Sequence, residues 1–197
     1  MIVTLTGVSA SGKTTIEKGL RTCLDNLKPV VSHTTRPPGE GDLPGNYAHL
    51  SEQEFKKMED AGEFIWSVYV FKNHYGTAFK SLQDTVSELD TVFLMVIEPD
   101  SVKKLRAFAE KMNIKVVSFY VFSPPPEVLK ERLRKRGRET AEQIEIRIVE
   151  AAEWDEKALN SGIPYIFIRN DGEVWETVDE VVKIIELFEK LPSKIDF

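Results

Sequence analysis

Apolar positions along the chain fall into two recurring kinds of segment. Ile2 to Thr6, Thr91 to Ile97, Val116 to Phe122 and Tyr165 to Ile168 are short, nearly continuous runs, as strands covered on both faces read. Between them lie helically spaced stretches: Thr14 to Leu27, about Asp100 to Lys111, Glu127 to Lys135 and Val174 to Leu191. Another long helix, to about Leu159, opens with a capping box of Thr140 and Gln143. Strands alternating with helices predict an α/β fold, a doubly wound parallel sheet with right-handed crossovers. Pro29 to Thr34 reads as one further strand.

Residues 35–90 have a different texture. Arg36 to Asn46 is rich in Pro and Gly and reads as an exposed loop. Tyr47 to His49 is short and extended, and Ser51 to Ala61 is a helix with Ser51 and Glu54 as its capping box. Phe64 to Phe71 is a strand of aromatic and β-branched residues. A turn at His74-Tyr75-Gly76 leads into a helix from Phe79 to Glu88. The expectation is a small α+β insert in a single domain over 1–197, with its core at 1–34, 91–126 and 147–197. No internal repeat or low-complexity stretch interrupts it.

Where the first strand meets the first helix, the chain reads GVSASGKT, which satisfies G-x-x-x-x-G-K-[ST] from Gly7 to Thr14. Backbone N–H groups of Ser9, Ala10 and Ser11 and of the helix start can surround a polyphosphate, which Thr15 also borders. Gly7 and Gly12 permit the close approach, Lys13 reaches the outer phosphates, and the Thr14 hydroxyl is offered to Mg²⁺. A chance glycine turn rarely comes with strand, helix and Lys-Thr pair together. The loop therefore points to a nucleoside triphosphate, and ligands of such sheets gather at the carboxyl ends of the strands.

At 197 residues, with 42% hydrophobic content, the chain can fill a sizeable core. Its formal net charge of −6 argues against a general nucleic-acid binder. Cys23 is the single cysteine, so no intrachain disulfide is possible, and it is expected as a small buried hydrophobe in the first helix. No apolar run approaches the ~20 residues of a membrane span, and the short N-terminal run lacks a basic region before it. A cytoplasmic protein, without membrane or nucleic-acid partners and present as monomer or homodimer, is expected.

Two further constellations bear on chemistry. KERLRKRGR, Lys130 to Arg138, has six basic residues and one acid, and Arg147 follows on the next helix. Alone it reads equally as a solvated helix face. Beside a phosphate loop, arginines on a segment broken by Gly137 suit a lid that neutralises a moving phosphoryl group and excludes water. The second constellation, Ser32, Arg36, Tyr47, Tyr75 and Thr77, brackets the insert; guanidinium and phenol suit a small phosphate. His33, His49 and His74 lack metal-ligand spacing and read as structural or solvent-facing.

In order, these pieces resemble the guanylate kinase family over nearly the whole chain. VSHTTRPPGE is similar to its acceptor-phosphate loop, NYAHLSEQEF to the following strand and helix, and GEFIWSVYVFKNHYGT to the stretch around the acceptor base. ERLRKRGRETAEQIEIR resembles the lid, 127–146, and RND at Arg169 to Asp171 the adenine-side loop. The resemblance implies ATP-dependent, Mg²⁺-assisted phosphorylation of a nucleoside monophosphate, with small-molecule nucleotides as partners. Arg36, Tyr47 and Tyr75 would hold the acceptor phosphate, and Ser32 and Thr77 would face its base. Arg132, Arg136 and Arg147 would close on the transferring phosphates with Lys13, and Asn170 would lie near adenine.

The departures concern the acceptor base. Trp66 stands where the family pattern GEFIE has a carboxylate, and Met95 and Ile97 stand where it has two aspartates. A second arginine of the acceptor loop is missing. Either Trp66 stacks on another base or the acceptor is smaller, and preference for GMP is expected to be weak or absent. Glu98 and Asp100 either order the metal's waters or simply start the next helix. The ribose bisphosphokinases, a related branch that also lacks the guanine-reading carboxylates and has a similar helix beginning SEQEF, are an alternative, and a phage-type or modified-deoxynucleotide kinase is another. A catalytically silent scaffold of the same fold is disfavoured by the intact phosphate loop, and a signalling GTPase by the absence of an N-K-x-D string.

Overall fold

The computed structural model describes residues 1–39, 41–70, 72–88, 90–137 and 139–191; Phe71 and Arg138 lie outside them. In chain order the elements begin with β1 (Ile2–Thr6), α1 (Lys13–Cys23), β2 (Leu27–Pro29), β3 (Ser32–Thr34) and β4 (Tyr47–His49). Next come α2 (Glu52–Asp60), β5 (Phe64–Val70), β6 (Asn73–Ala78), α3 (Phe79–Ser87) and β7 (Val92–Val96). The rest are α4 (Pro99–Lys111), β8 (Val116–Val121), α5 (Pro126–Arg136), α6 (Ala141–Leu159), β9 (Tyr165–Ile168) and α7 (Val174–Lys190). They form two compact units, one of residues 1–3 and 26–116, the other of 4–25 and 117–191.

In the first unit β2 runs parallel to β7, with Leu27 opposite Val92 and Pro29 opposite Leu94, and the start of β1 follows β7 in the sheet. Ile2, Val30, Trp66, Leu82, Phe93, Met95 and Leu105 make its buried core. A second sheet has the order β4-β3-β6-β5. Sequence reading joined Pro29 to Thr34 in one strand; the structure divides it. After Val30 donates to the Leu94 carbonyl, the chain leaves β7, and Ser32 donates to Asn46 beside β4. The expected turn at His74-Tyr75-Gly76 is instead part of β6, antiparallel to β5. Gly76 is needed there for proximity rather than for turning, since a Cβ would press into the rings of Phe64 and Phe55. Those rings stack, with centroids 4.6 Å apart.

The second unit carries the remainder of β1, then β8 and β9, the last two parallel with Ser118 opposite Tyr165 and Val121 opposite Ile168. Helix α1 buries Ile16 and Leu20. Leu24 continues that stripe, which turns Cys23 outward. The thiol is exposed, not buried as expected from its helix. Both expected capping boxes form, Ser51 with Glu54 and Thr140 with Gln143. No helix among the described residues is long and apolar enough to cross a membrane.

Trp66 is 5% exposed within the first unit's core. Trp66→Ala is expected to lower unfolding free energy by about 3–5 kcal/mol, the usual cost of emptying an aromatic core site. Denaturant titration followed by circular dichroism measures it; a loss under about 1 kcal/mol would contradict this packing.

Candidate active site

β1 is buried throughout and delivers the chain into the loop at Gly7. Gly7 adopts φ 147°, and a Cβ there would collide with the Val121 carbonyl oxygen of β8. Only glycine lets the loop lie against that strand. Gly12, at φ 103°, is the N-cap of α1, and its carbonyl accepts from the N–H groups of Thr15 and Ile16 at 2.9 and 3.0 Å. The N–H groups of Lys13 and Thr14, ahead of those two, have no intrahelical carbonyl to reach, and the helix dipole adds positive potential there. Thr14 and Thr15 are exposed on this first turn.

Lys13 folds back into the loop and donates to the carbonyls of Gly7 and Val8 at 2.7 and 2.6 Å. The residue as a whole is half-buried, but its ammonium end is enclosed. Burial first, and the neighbouring Arg136 guanidinium second, pull its pKa from 10.5 down to about 7. Val8 packs with Leu129, Leu133, Ile144 and Ala151, an apolar seat joining the loop to α5 and α6. Arg132 and Arg136, four residues apart, share one side of α5. Arg132 donates to the carbonyls of Ala10 and Ser11 at 3.4 Å and of Asn170 at 3.0 Å. Arg136 donates to the Ser9 hydroxyl at 2.6 Å. Buried Asn170 donates to the Ser11 carbonyl at 3.3 Å, while its own side-chain oxygen has no hydrogen-bond partner among the described residues. Arg147 is engaged by Glu150 on its own helix at 3.5 Å.

Asp155, which sequence reading passed over as one acid among many on α6, clasps the β8–α5 junction. Its carboxylate accepts from the Tyr120 hydroxyl at 3.0 Å and from the Ser123 N–H and hydroxyl. Burial, with Asp155 beside it, raises the Tyr120 phenol far above its ordinary range. The clasp fixes the strand end against which Gly7 lies and the start of the helix that carries the arginines.

The other candidate residues sit in the first unit. Ser32 pairs with Tyr47 and Thr34 with Tyr75, so alternation puts Ser32, Tyr47, Tyr75 and Thr77 on one face of the second sheet. Ser32 and Thr77 are buried. The Arg36 guanidinium lies 5.1 Å from the centre of the Tyr47 ring and within electrostatic reach of the Tyr75 phenol. Arg36, Tyr47 and Tyr75 therefore converge. Asp42 and His49, unmarked by any motif, belong to the same cluster: Arg36 donates to Asp42 at 2.6 Å, and His49 Nε2 lies 3.4 Å from Asp42.

A family model described as guanylate kinase matches residues 1–187. The chain belongs to the guanylate kinase family. It is 32% identical over 186 residues to a guanylate kinase of Symbiobacterium thermophilum, covering 94% of this chain and 84% of that protein. A guanylate kinase of Prochlorococcus marinus is 32% identical over 190 residues, covering 94% and 96%. The crystal structure of guanylate kinase from Anaplasma phagocytophilum superposes with a TM-score of 0.69 at 28% identity, covering 98% of this chain and 88% of that one. The chain is thus a phosphotransferase of the nucleoside monophosphate kinase class on a P-loop α/β fold with a parallel sheet.

Within this family frame, the positions that depart from the guanylate kinase pattern are largely packing positions. The Trp66 side chain, partner of Thr77 in register, is in the core and has no open ring face for a base. Met95 is fully buried in the same core, and Ile97 packs against it. Of the two readings of Glu98, helix start describes its carboxylate: it caps α4, accepting from the N–H groups of Asp100 and Ser101 at 2.6 and 2.7 Å. Asp100 is exposed in the first turn. Among the described residues no group of three His, Cys, Asp or Glu could hold a metal ion by itself. The exposed Thr14 hydroxyl at the helix start would suit Mg²⁺, which keeps several waters and borrows ligands from its substrate.

Because the folded-state pKa of Lys13 is depressed, unfolding takes up a proton between pH 7 and 10.5. Its contribution to stability is least favourable below pH 7 and improves as pH rises through that window. Urea unfolding at pH 7 and 9.5 should show wild type gaining on Lys13→Met; parallel curves would refute the depressed ammonium.

Proposed function

We propose that the protein transfers the γ-phosphoryl group of ATP to the phosphate of GMP or dGMP. The observation that carries this reading is the seating of Arg132 and Arg136 on the same glycine loop that holds Lys13. Three cations meeting at one loop suit a polyanion whose charge shifts during reaction. Mg²⁺, held by Thr14 and the phosphates, would supply additional charge neutralisation.

In this reading Gly7 to Thr15 hold the donor's phosphates, and Asn170 borders its adenine. Arg36, Tyr47 and Tyr75 hold the acceptor's phosphate, leaving the hydroxyls of Ser32 and Thr77 to read its base. Transfer is direct and in-line, because a phosphate acceptor is already ionised at neutral pH and needs no general base. Arg147 joins when the segment 127–146 closes and shuts water out. The family relationship over the whole chain supports GMP ahead of ribose 1,5-bisphosphate or a modified deoxynucleotide.

Base recognition by two neutral hydroxyls predicts limited selectivity. A charged hydrogen bond is worth roughly 1.5–3 kcal/mol, so its replacement costs about ten- to a hundredfold in discrimination. A coupled ADP-release screen across the nucleoside and deoxynucleoside monophosphates and ribose 1,5-bisphosphate should give turnover with GMP and dGMP, and weaker turnover with other bases. Preference for ribose 1,5-bisphosphate, or no acceptor at all, would refute the proposal. Lys13→Ala should lose about a hundred- to a thousandfold in kcat while its circular dichroism stays native. Unchanged turnover in that variant would remove the mechanism.

A further inference from the structure

The loop from Arg36 to His49 contains an anion of its own. Asp42 Oδ1 accepts from Arg36 Nη2 at 2.6 Å, and Oδ2 accepts from the Gly39 N–H at 2.8 Å with His49 Nε2 3.4 Å away. His49 is fixed in turn, its Nδ1 lying 2.7 Å from the Arg36 carbonyl. For an exposed, Pro- and Gly-rich loop the pair is well enclosed, with Arg36 and Asp42 side chains only 23% and 22% exposed. The other terminal nitrogen of Arg36 donates to the Pro37 carbonyl at 3.1 Å. Burial alone would raise the Asp42 carboxyl, but the Arg36 hydrogen bond, the Gly39 N–H and the charges of Arg36 and His49 hold it below its ordinary value. Asp42 is thus a resident carboxylate on the one guanidinium of this loop, beside two phenols.

We propose that Asp42 sets the strength of acceptor binding by occupying Arg36 in the place that the acceptor's phosphate takes. This rests on the assignment of Arg36 to the acceptor's phosphate. Among the described side chains of the loop, Arg36 is the single permanent cation, and Asp42 cancels it. An incoming phosphate meets a locally neutral site and must break a charge-assisted hydrogen bond before making its own. The free energy of that bond is subtracted from the free energy of phosphate binding. Once released, the carboxylate keeps two partners, the Gly39 N–H and His49, so the loop has a second arrangement within reach. A carboxylate that merely aimed Arg36 would have the opposite effect, since removing it would loosen the guanidinium and weaken the acceptor. The two roles differ in sign.

Asp42→Asn keeps the shape and an oxygen for the Gly39 N–H but removes the charge. Expected is a fall in the KM for GMP of about fivefold, the equilibrium equivalent of a partly exposed ion pair. No such change is expected in the KM for ATP. Calorimetric titration of GMP and of inorganic phosphate should show the same tightening. In an Arg36→Met background the Asp42→Asn change should leave both affinities where they were, because the effect passes through that guanidinium. An unchanged or raised KM for GMP, or tightening that persists without Arg36, would overturn the proposal, as would failure of both proteins to bind either anion. If wild type binds GMP but transfers nothing to it, the kinase reading fails while the affinity comparison still decides the role of Asp42.

Discussion

Positive charge gathered on one glycine loop, with a lysine ammonium enclosed at its centre, is the constraint around which the second unit is arranged. Lys13 is held on two loop carbonyls while Arg132 and Arg136 donate to neighbouring groups of the same loop. Burial of its ammonium first, and repulsion from the exposed Arg136 guanidinium second, bring the lysine's pKa to about 7. A bound polyphosphate relieves that repulsion, and its binding free energy includes the relief. The neighbouring architecture serves the geometry. Gly7 gives up a side chain so that the loop can touch β8, and Val8 seats α5 through Leu129 and Leu133. Asp155 ties α6 to the end of β8.

The first unit solves a different problem, the presentation of hydroxyls and one guanidinium on a small sheet. Pairing of β3 with β4 and β6 sets Ser32, Tyr47, Tyr75 and Thr77 on one face by alternation alone. The opposite face carries the Phe55, Phe64 and His74 rings that Gly76 admits. Trp66 and Met95 close the core beneath, so where the family pattern has carboxylates this chain has packing residues. What distinguishes this unit is the neutral pairing of Arg36 with Asp42, which in the reading proposed above puts a competing anion on the acceptor's guanidinium.

Features that depend on neighbours in sequence were legible before the structure. The phosphate loop, both capping boxes and the long apolar strands are local patterns, and each appears where its residues imply. Features that depend on partners distant in sequence were not. The split at Val30 is decided by β7 on one side and Asn46 on the other, and nothing in Pro29 to Thr34 announces it. Gly76 looked like a turn because a strand glycine is explained only by the rings that cover it. Cys23 was misplaced because one residue of helical phase separates it from the stripe of Ile16, Leu20 and Leu24. Asp42 and Asp155 were invisible for a simpler reason: a single acid in a loop or on a helix has no pattern until its donors are seen.

The central claim is that burial brings the loop's lysine close to losing its charge and that phosphate restores the charge in full. Calorimetry of ATP binding in buffers of differing ionisation enthalpy measures that directly, as protons taken up per nucleotide. At pH 8 the account predicts uptake of about half a proton or more by the wild type and almost none by Lys13→Met. Binding without proton uptake in the wild type would contradict it.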